Sequence, residues 1–61
     1  MERLMTAEEV AALIRKPLPS FYNMRHQGLG PPAVRLDGRL RFRPVDVVAW
    51  IEAHLEAVEP V

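Results

Sequence analysis

The spacing of apolar positions changes period twice along the chain. Val10, Leu13 and Ile14 recur at i, i+3 and i+4 behind Thr6 and Glu9, whose separation is that of a capping box, so a first helix is predicted over about Ala7–Arg15. Ala7, Ala11 and Ala12 raise its propensity, Glu8 and Glu9 suit its positive end, and Arg15 and Lys16 suit its negative end. The helix cannot pass Pro17. A second, shorter helix is predicted over Leu18–Gln27, with Pro17 and Pro19 near its first turn and Gly28 stopping it. Phe21 and Met24 give this helix a small apolar foothold, while Ser20, Tyr22, Asn23 and His26 place hydrogen-bonding groups on its other faces.

Gly30, Pro31 and Pro32 then impose an extended connector, and the period drops to two. Val34, Leu36, Leu40 and Phe42 alternate with Arg35, Arg39, Arg41 and Arg43 around Asp37-Gly38, which predicts a β-hairpin. A two-residue turn at Asp37-Gly38 would mix apolar and basic side chains on each face. A three-residue loop, Leu36-Asp37-Gly38 with Gly38 left-handed, would pair Val34 with Leu40 and Arg35 with Arg39 and keep each face uniform, and is therefore expected. Arg35, Arg39 and Arg41 would then crowd one exposed face, an unfavourable arrangement unless an anion such as phosphate meets it. The same arginines would protect an exposed strand edge from pairing with other chains.

From Pro44 the helical period returns in Val47, Trp50, Ile51, His54, Leu55 and Val58, predicting a third helix to about Ala57 with Trp50 as the core keystone. Val48 falls off this stripe, at a position suited to contact with a second copy. Residues 1–58 are read as one domain and 59–61 as a short tail.

Sixty-one residues hold one small core. With no cysteine there is neither a disulfide framework nor a cysteine-ligated zinc site, and His26 and His54 lack metal-ligand spacing. No apolar run approaches a membrane span and no signal-peptide pattern opens the chain, so a cytoplasmic location is expected. Zero net charge hides a division: residues 15–43 carry seven bases and one acid, a net +6, and the remainder carries −6. Such a field orients a polyanion even without net charge. Ser20, His26 and an aspartate have no glycine-framed nucleophile turn around them, and no phosphate-cradle motif occurs. Neither enzymatic activity nor a cofactor or metal is therefore expected.

A short connection between two helices is the mark of a helix-turn-helix, and a small helix with a polar outer face suits a DNA major groove. Together with Ser20-Phe21-Tyr22-Asn23, the passage Gly30-Pro31-Pro32-Ala33-Val34-Arg35, the hairpin Asp37-Gly38-Arg39-Leu40-Arg41-Phe42 and Asp46-Val47-Val48-Ala49-Trp50-Ile51, the chain resembles the small MerR-like winged helix-turn-helix proteins. These include phage excisionases and related transcriptional regulators. The resemblance implies a mostly α fold with a two-stranded β-hairpin: helix, helix, hairpin wing, helix. It implies that the second helix enters the major groove, with Ser20, Asn23 and His26 toward base edges and Tyr22, Arg25 and Lys16 toward phosphate or groove. Arg39 and Arg41 become wing contacts, joined by Arg35 from the charge pattern. Leu18, Pro19 and Asn23 stand where relatives often carry polar or basic residues, which shifts specificity toward DNA shape and several copies side by side. A length that leaves no room for a ligand-sensing domain favours an excisionase, which would bind and bend attachment-site DNA in a bacterial host and assist an integrase. The alternatives are a small transcriptional regulator of the same fold and, in another class, a protein-interaction adaptor using the basic wing.

Overall fold

The computed structural model describes residues 3–56. Its elements are β1 (Met5–Thr6), α1 (Ala7–Leu13), α2 (Leu18–His26), β2 (Val34–Leu36), β3 (Arg39–Phe42) and α3 (Pro44–Ala53). Three helices accompany a small antiparallel sheet, so the expected helix, helix, hairpin, helix order holds. The sheet has a third strand, absent from the sequence expectation: β1 joins the hairpin through β3, giving the order β1-β3-β2. Met5 lies opposite Phe42 and Thr6 opposite Arg41, so two residues close one edge of β3.

Both ends of α1 follow from local chemistry. Thr6 Oγ1 accepts from the Glu9 N–H at 3.1 Å and the Thr6 N–H donates to Glu9 Oε1 at 2.9 Å, completing the capping box. The Thr6 backbone N–H, and after it the neighbouring Thr6 hydroxyl, hold the exposed Glu9 carboxyl below its ordinary range. At the other end α1 stops two residues short of the expected Arg15. The Arg15 N–H donates to the Ala12 carbonyl (3.1 Å) and the Lys16 N–H to the Ala11 carbonyl (2.9 Å), with Arg15 left-handed at φ 59°. This is a Schellman motif, normally closed by glycine. The end of α2 repeats it. The Gly28 N–H donates to the Arg25 carbonyl and the Leu29 N–H to the Met24 carbonyl, with Gly28 at φ 79°, so the helix closes at His26. One motif therefore ends both helices, once on a glycine and once on an arginine that must tolerate the left-handed conformation.

The core is small. Val10, Phe21, Phe42 and Val47 are fully buried, joined by Ala7 and Ala11, with Met5, Ile14, Leu18, Met24, Ala33 and Leu40 packed around them. Phe21 from α2 and Phe42 from β3 meet at 5.6 Å between ring centroids in an edge-on arrangement. The expectation that Trp50 is the keystone does not hold: it is half-buried and lies outside this cluster. Its ring instead stands 4.5 Å from that of His54, one turn along the same helix. The physical reason is the shallow docking of α3. Val47 alone on this helix is buried, and the bidentate pair of Arg43 with Asp46 (2.6 and 2.8 Å) fixes its first turn to the end of β3. Beyond that turn Ile51 and Leu55 remain exposed, and α3 ends at Ala53 rather than near Ala57, with Val58 and the 59–61 tail outside the described residues.

Phe42→Ala is expected to destabilise by about 3–5 kcal/mol, enough to unfold most of so small a domain, with Trp50→Ala costing clearly less. Thermal melts followed by circular dichroism rank the two. Arg15→Gly should raise stability by about 0.5–1 kcal/mol, because glycine adopts the left-handed conformation freely although it adds entropy to the unfolded chain. The depressed Glu9 and Asp46 carboxyls stabilise the folded state above their unfolded pKa values, and this contribution disappears as pH falls through the lower folded values. Stability should therefore decline below about pH 4.5. Glu9→Gln, which can still complete the capping box, should flatten the upper part of that acid limb in chemical denaturation.

Candidate nucleic-acid interface

The core contact of Phe21 decides which face of α2 looks outward. At about 100° per residue, Asn23, His26 and Pro19 fall roughly 140–160° from Phe21, whereas Ser20 and Tyr22 fall on the two flanks. Ser20, Tyr22, Asn23 and His26 are all exposed, so the structure brings the four expected polar residues onto the open side of the helix. Gln27, four residues after Asn23, is exposed beside them and was missing from the sequence expectation. In the structure it is the C-cap of α2.

Arg25 is placed differently. It is half-buried, four residues from Phe21, with its guanidinium carbon 5.9 Å from the centroid of the Phe42 ring. Lys16 is exposed in the turn between α1 and α2.

The hairpin differs from expectation. Val34 pairs with Arg41, Arg35 with Leu40 and Leu36 with Arg39, leaving a two-residue turn in which Asp37 (φ 48°) and Gly38 (φ 74°) are both left-handed. Those angles are of the type I′ class, whose twist matches the strands it joins. The premise of uniform faces fails because the wing tip extends beyond the core, so neither face there must be wholly apolar. Leu36 is 48% exposed beside Arg39. Arg39 and Arg41 therefore share one face with Val34 and Leu36, and Arg35 shares the other with Leu40. The long arginine stems can lie along these apolar neighbours while their charged ends reach solvent.

This register divides the arginines between two faces, yet residues from both border one cleft. Tyr22, Arg35, Arg39 and Arg41 line one cleft with Thr6 and Glu8, between the outer flank of α2 and the wing. Arg41 is anchored there by donating from its guanidinium to the Leu40 carbonyl at 2.7 Å. Residues that carry a phenol and guanidinium groups thus border one cleft, donors of the kind that phosphate oxygens accept from, with Glu8 also on its border and the Glu9 carboxylate within electrostatic reach of Arg41. A second hollow on the far side of the wing again includes Arg39 and Arg41. The remaining basic residue of the hairpin, Arg43, is engaged by Asp46, and that contact raises its pKa.

Two helices joined by a tight turn, followed by a basic hairpin and a third helix, define a winged helix-turn-helix with the features of a DNA-binding domain. A family model described as a helix-turn-helix domain matches residues 4–55, and the chain belongs to that family, whose members serve in DNA-binding regulation. No curated protein and no solved structure gives a significant match to it. Among the described residues no helix is long and apolar enough to cross a membrane.

Replacing Arg39 and Arg41 together by alanine should weaken binding to every DNA sequence and reduce the steepness of the logarithmic salt dependence by about 2, near 0.9 for each phosphate no longer neutralised. Fluorescence anisotropy at several salt concentrations measures both quantities.

Proposed function

We propose that the chain is a sequence-specific DNA-binding accessory protein of the excisionase kind. In this proposal α2 enters the major groove with Ser20, Asn23 and His26 at base edges, and Tyr22 and Lys16 flank them on the backbone. The wing grips the adjacent minor groove or phosphates through Arg35, Arg39 and Arg41. The observation that carries this reading is the cleft shared by Tyr22 and the three wing arginines, next to an outward polar helix face. One element can read bases while the other fixes register on the same duplex.

A single module of this size buries limited DNA surface, so useful affinity comes from several copies on neighbouring sites. Copies side by side would bend attachment-site DNA and assist an integrase toward excision. A transcriptional regulator would use the same interface at a promoter, and the family match supports regulation by DNA binding in either setting.

A gel-shift titration against attachment-site and promoter fragments, with random competitor and two salt concentrations, tests this proposal. A ladder of salt-sensitive, competitor-resistant complexes on attachment-site DNA, with stimulation of excision by the integrase, is the expected result. A ladder on promoter DNA alone would replace the excisionase with the regulator, and no shift at low salt would overturn both. Asn23→Ala should weaken cognate binding by about 1–3 kcal/mol and leave competitor binding nearly unchanged.

A further inference from the structure

We infer that Arg25 is a positioning residue, an internal clamp between α2 and the wing, rather than a contact to DNA. This inference deepens the DNA-binding reading above and rests on it. Three observations converge. First, Arg25 follows Phe21 by four residues and falls about 40° from it around the helix, so it leaves α2 on the core side, away from Asn23 and His26. Second, its guanidinium stands over Phe42, the same fully buried ring that Phe21 meets edge-on. One ring of β3 is thus held by two residues on consecutive turns of α2. Third, the Arg25 stem is backed by the turn that follows: a Cβ at Gly30, itself at φ 95°, would stand 3.7 Å from Arg25 Cγ and 3.3 Å from Met24 Cε.

Among the described residues the guanidinium has no carboxylate within ion-pair distance, and the aromatic face is the partner it meets. A cation over a ring is attracted by the ring quadrupole, and the contact strengthens where water is partly excluded. Half-burial of Arg25 above a fully buried Phe42 meets that condition. Phe42 is the last residue of β3, the strand that carries Arg39 and Arg41. The clamp therefore couples the angle of the recognition helix to the position of the wing, and a DNA site that requires both at once detects a change in that angle. Non-specific binding, which depends on charge, does not.

Arg25→Met keeps a long side chain over Phe42 and offers a sulfur contact to the ring without charge, whereas Arg25→Ala removes the stem that covers the ring. Cognate and random-DNA affinities are measured by anisotropy across a salt series. The expected result is that Arg25→Met retains the wild-type salt dependence and a cognate-to-random ratio within about twofold, while Arg25→Ala lowers that ratio by about fivefold or more with the same salt dependence. If both variants instead flatten the salt dependence by about one phosphate and weaken both DNAs alike, Arg25 is a backbone contact and the clamp is overturned. Wild-type behaviour in Arg25→Ala would also overturn it.

A readout independent of DNA is the through-space NMR contact between the Arg25 δ protons and the Phe42 ring in the free protein. Its presence is expected, and its absence defeats the clamp even where DNA binding is intact. A protein that shows this contact and binds no DNA would instead overturn the function proposed above while leaving the Arg25–Phe42 packing established.

Discussion

The edge-on contact of Phe21 with Phe42 is the constraint on which the other features depend. It is the place where the second helix meets the strand that carries the wing, and both rings are fully buried. Because Phe21 must face Phe42, Asn23 and His26 must face away, and the outer surface of α2 is set by what its inner surface buries. Because Phe42 must face Phe21, Leu40 points to the same side of β3, and Arg39 and Arg41 point to the other. In a domain this small, one aromatic pair fixes the relation of two elements that larger proteins would secure with several layers of side chains.

Around that pair the chain relies on short-range chemistry. The capping box at Thr6 and Glu9, the two Schellman closures and the Arg43–Asp46 pair each join residues at most five apart in sequence. They determine where helices stop, and so how tight the turn between α1 and α2 can be. The use of Arg15 rather than glycine in the first closure places strain in this turn, whereas Gly28 closes the second without it. An exposed basic residue beside Lys16 is thereby kept between the two helices at a conformational cost. The division of charge then acts on a fixed frame: the wing arginines and Tyr22 border one cleft, while Glu52 and Glu56 lie at and beyond the end of α3.

Much of this was legible in the residues because the signals are local. Thr6 with Glu9, Pro17, Gly28 and Pro44 mark helix ends through groups that lack a backbone partner or fix a dihedral angle, and the elements fall close to those marks. The exposure of Ser20, Tyr22, Asn23 and His26 followed from the single apolar face of their helix. Hairpin register was harder to read. Alternation identified the two strands, but the pairing across the turn was inferred from a requirement for uniform faces that only a strand lying wholly on the core obeys. Asp37-Gly38 favoured the tight turn on its own chemistry, and Leu36 tolerates exposure at the tip.

Helix starts, the two strands of the hairpin, the basic middle of the chain and the polar face of α2 were determined by the sequence itself, since caps, turns and periodicity act within a few residues. Tertiary structure decided the rest. It chose Phe21 and Phe42 over Trp50 as the centre of the core, because docking of α3 through Val47 leaves the tryptophan at the margin. It added β1 to the sheet, since two residues become a strand only where an open edge lies beside them. It also supplied the Phe42 ring that Arg25 stands over, a partner that the spacing of Arg25 from Phe21 could not name although it already gave the inward direction. Periodicity gives the direction of a side chain relative to its own helix, but what that side chain meets depends on residues far away in the sequence.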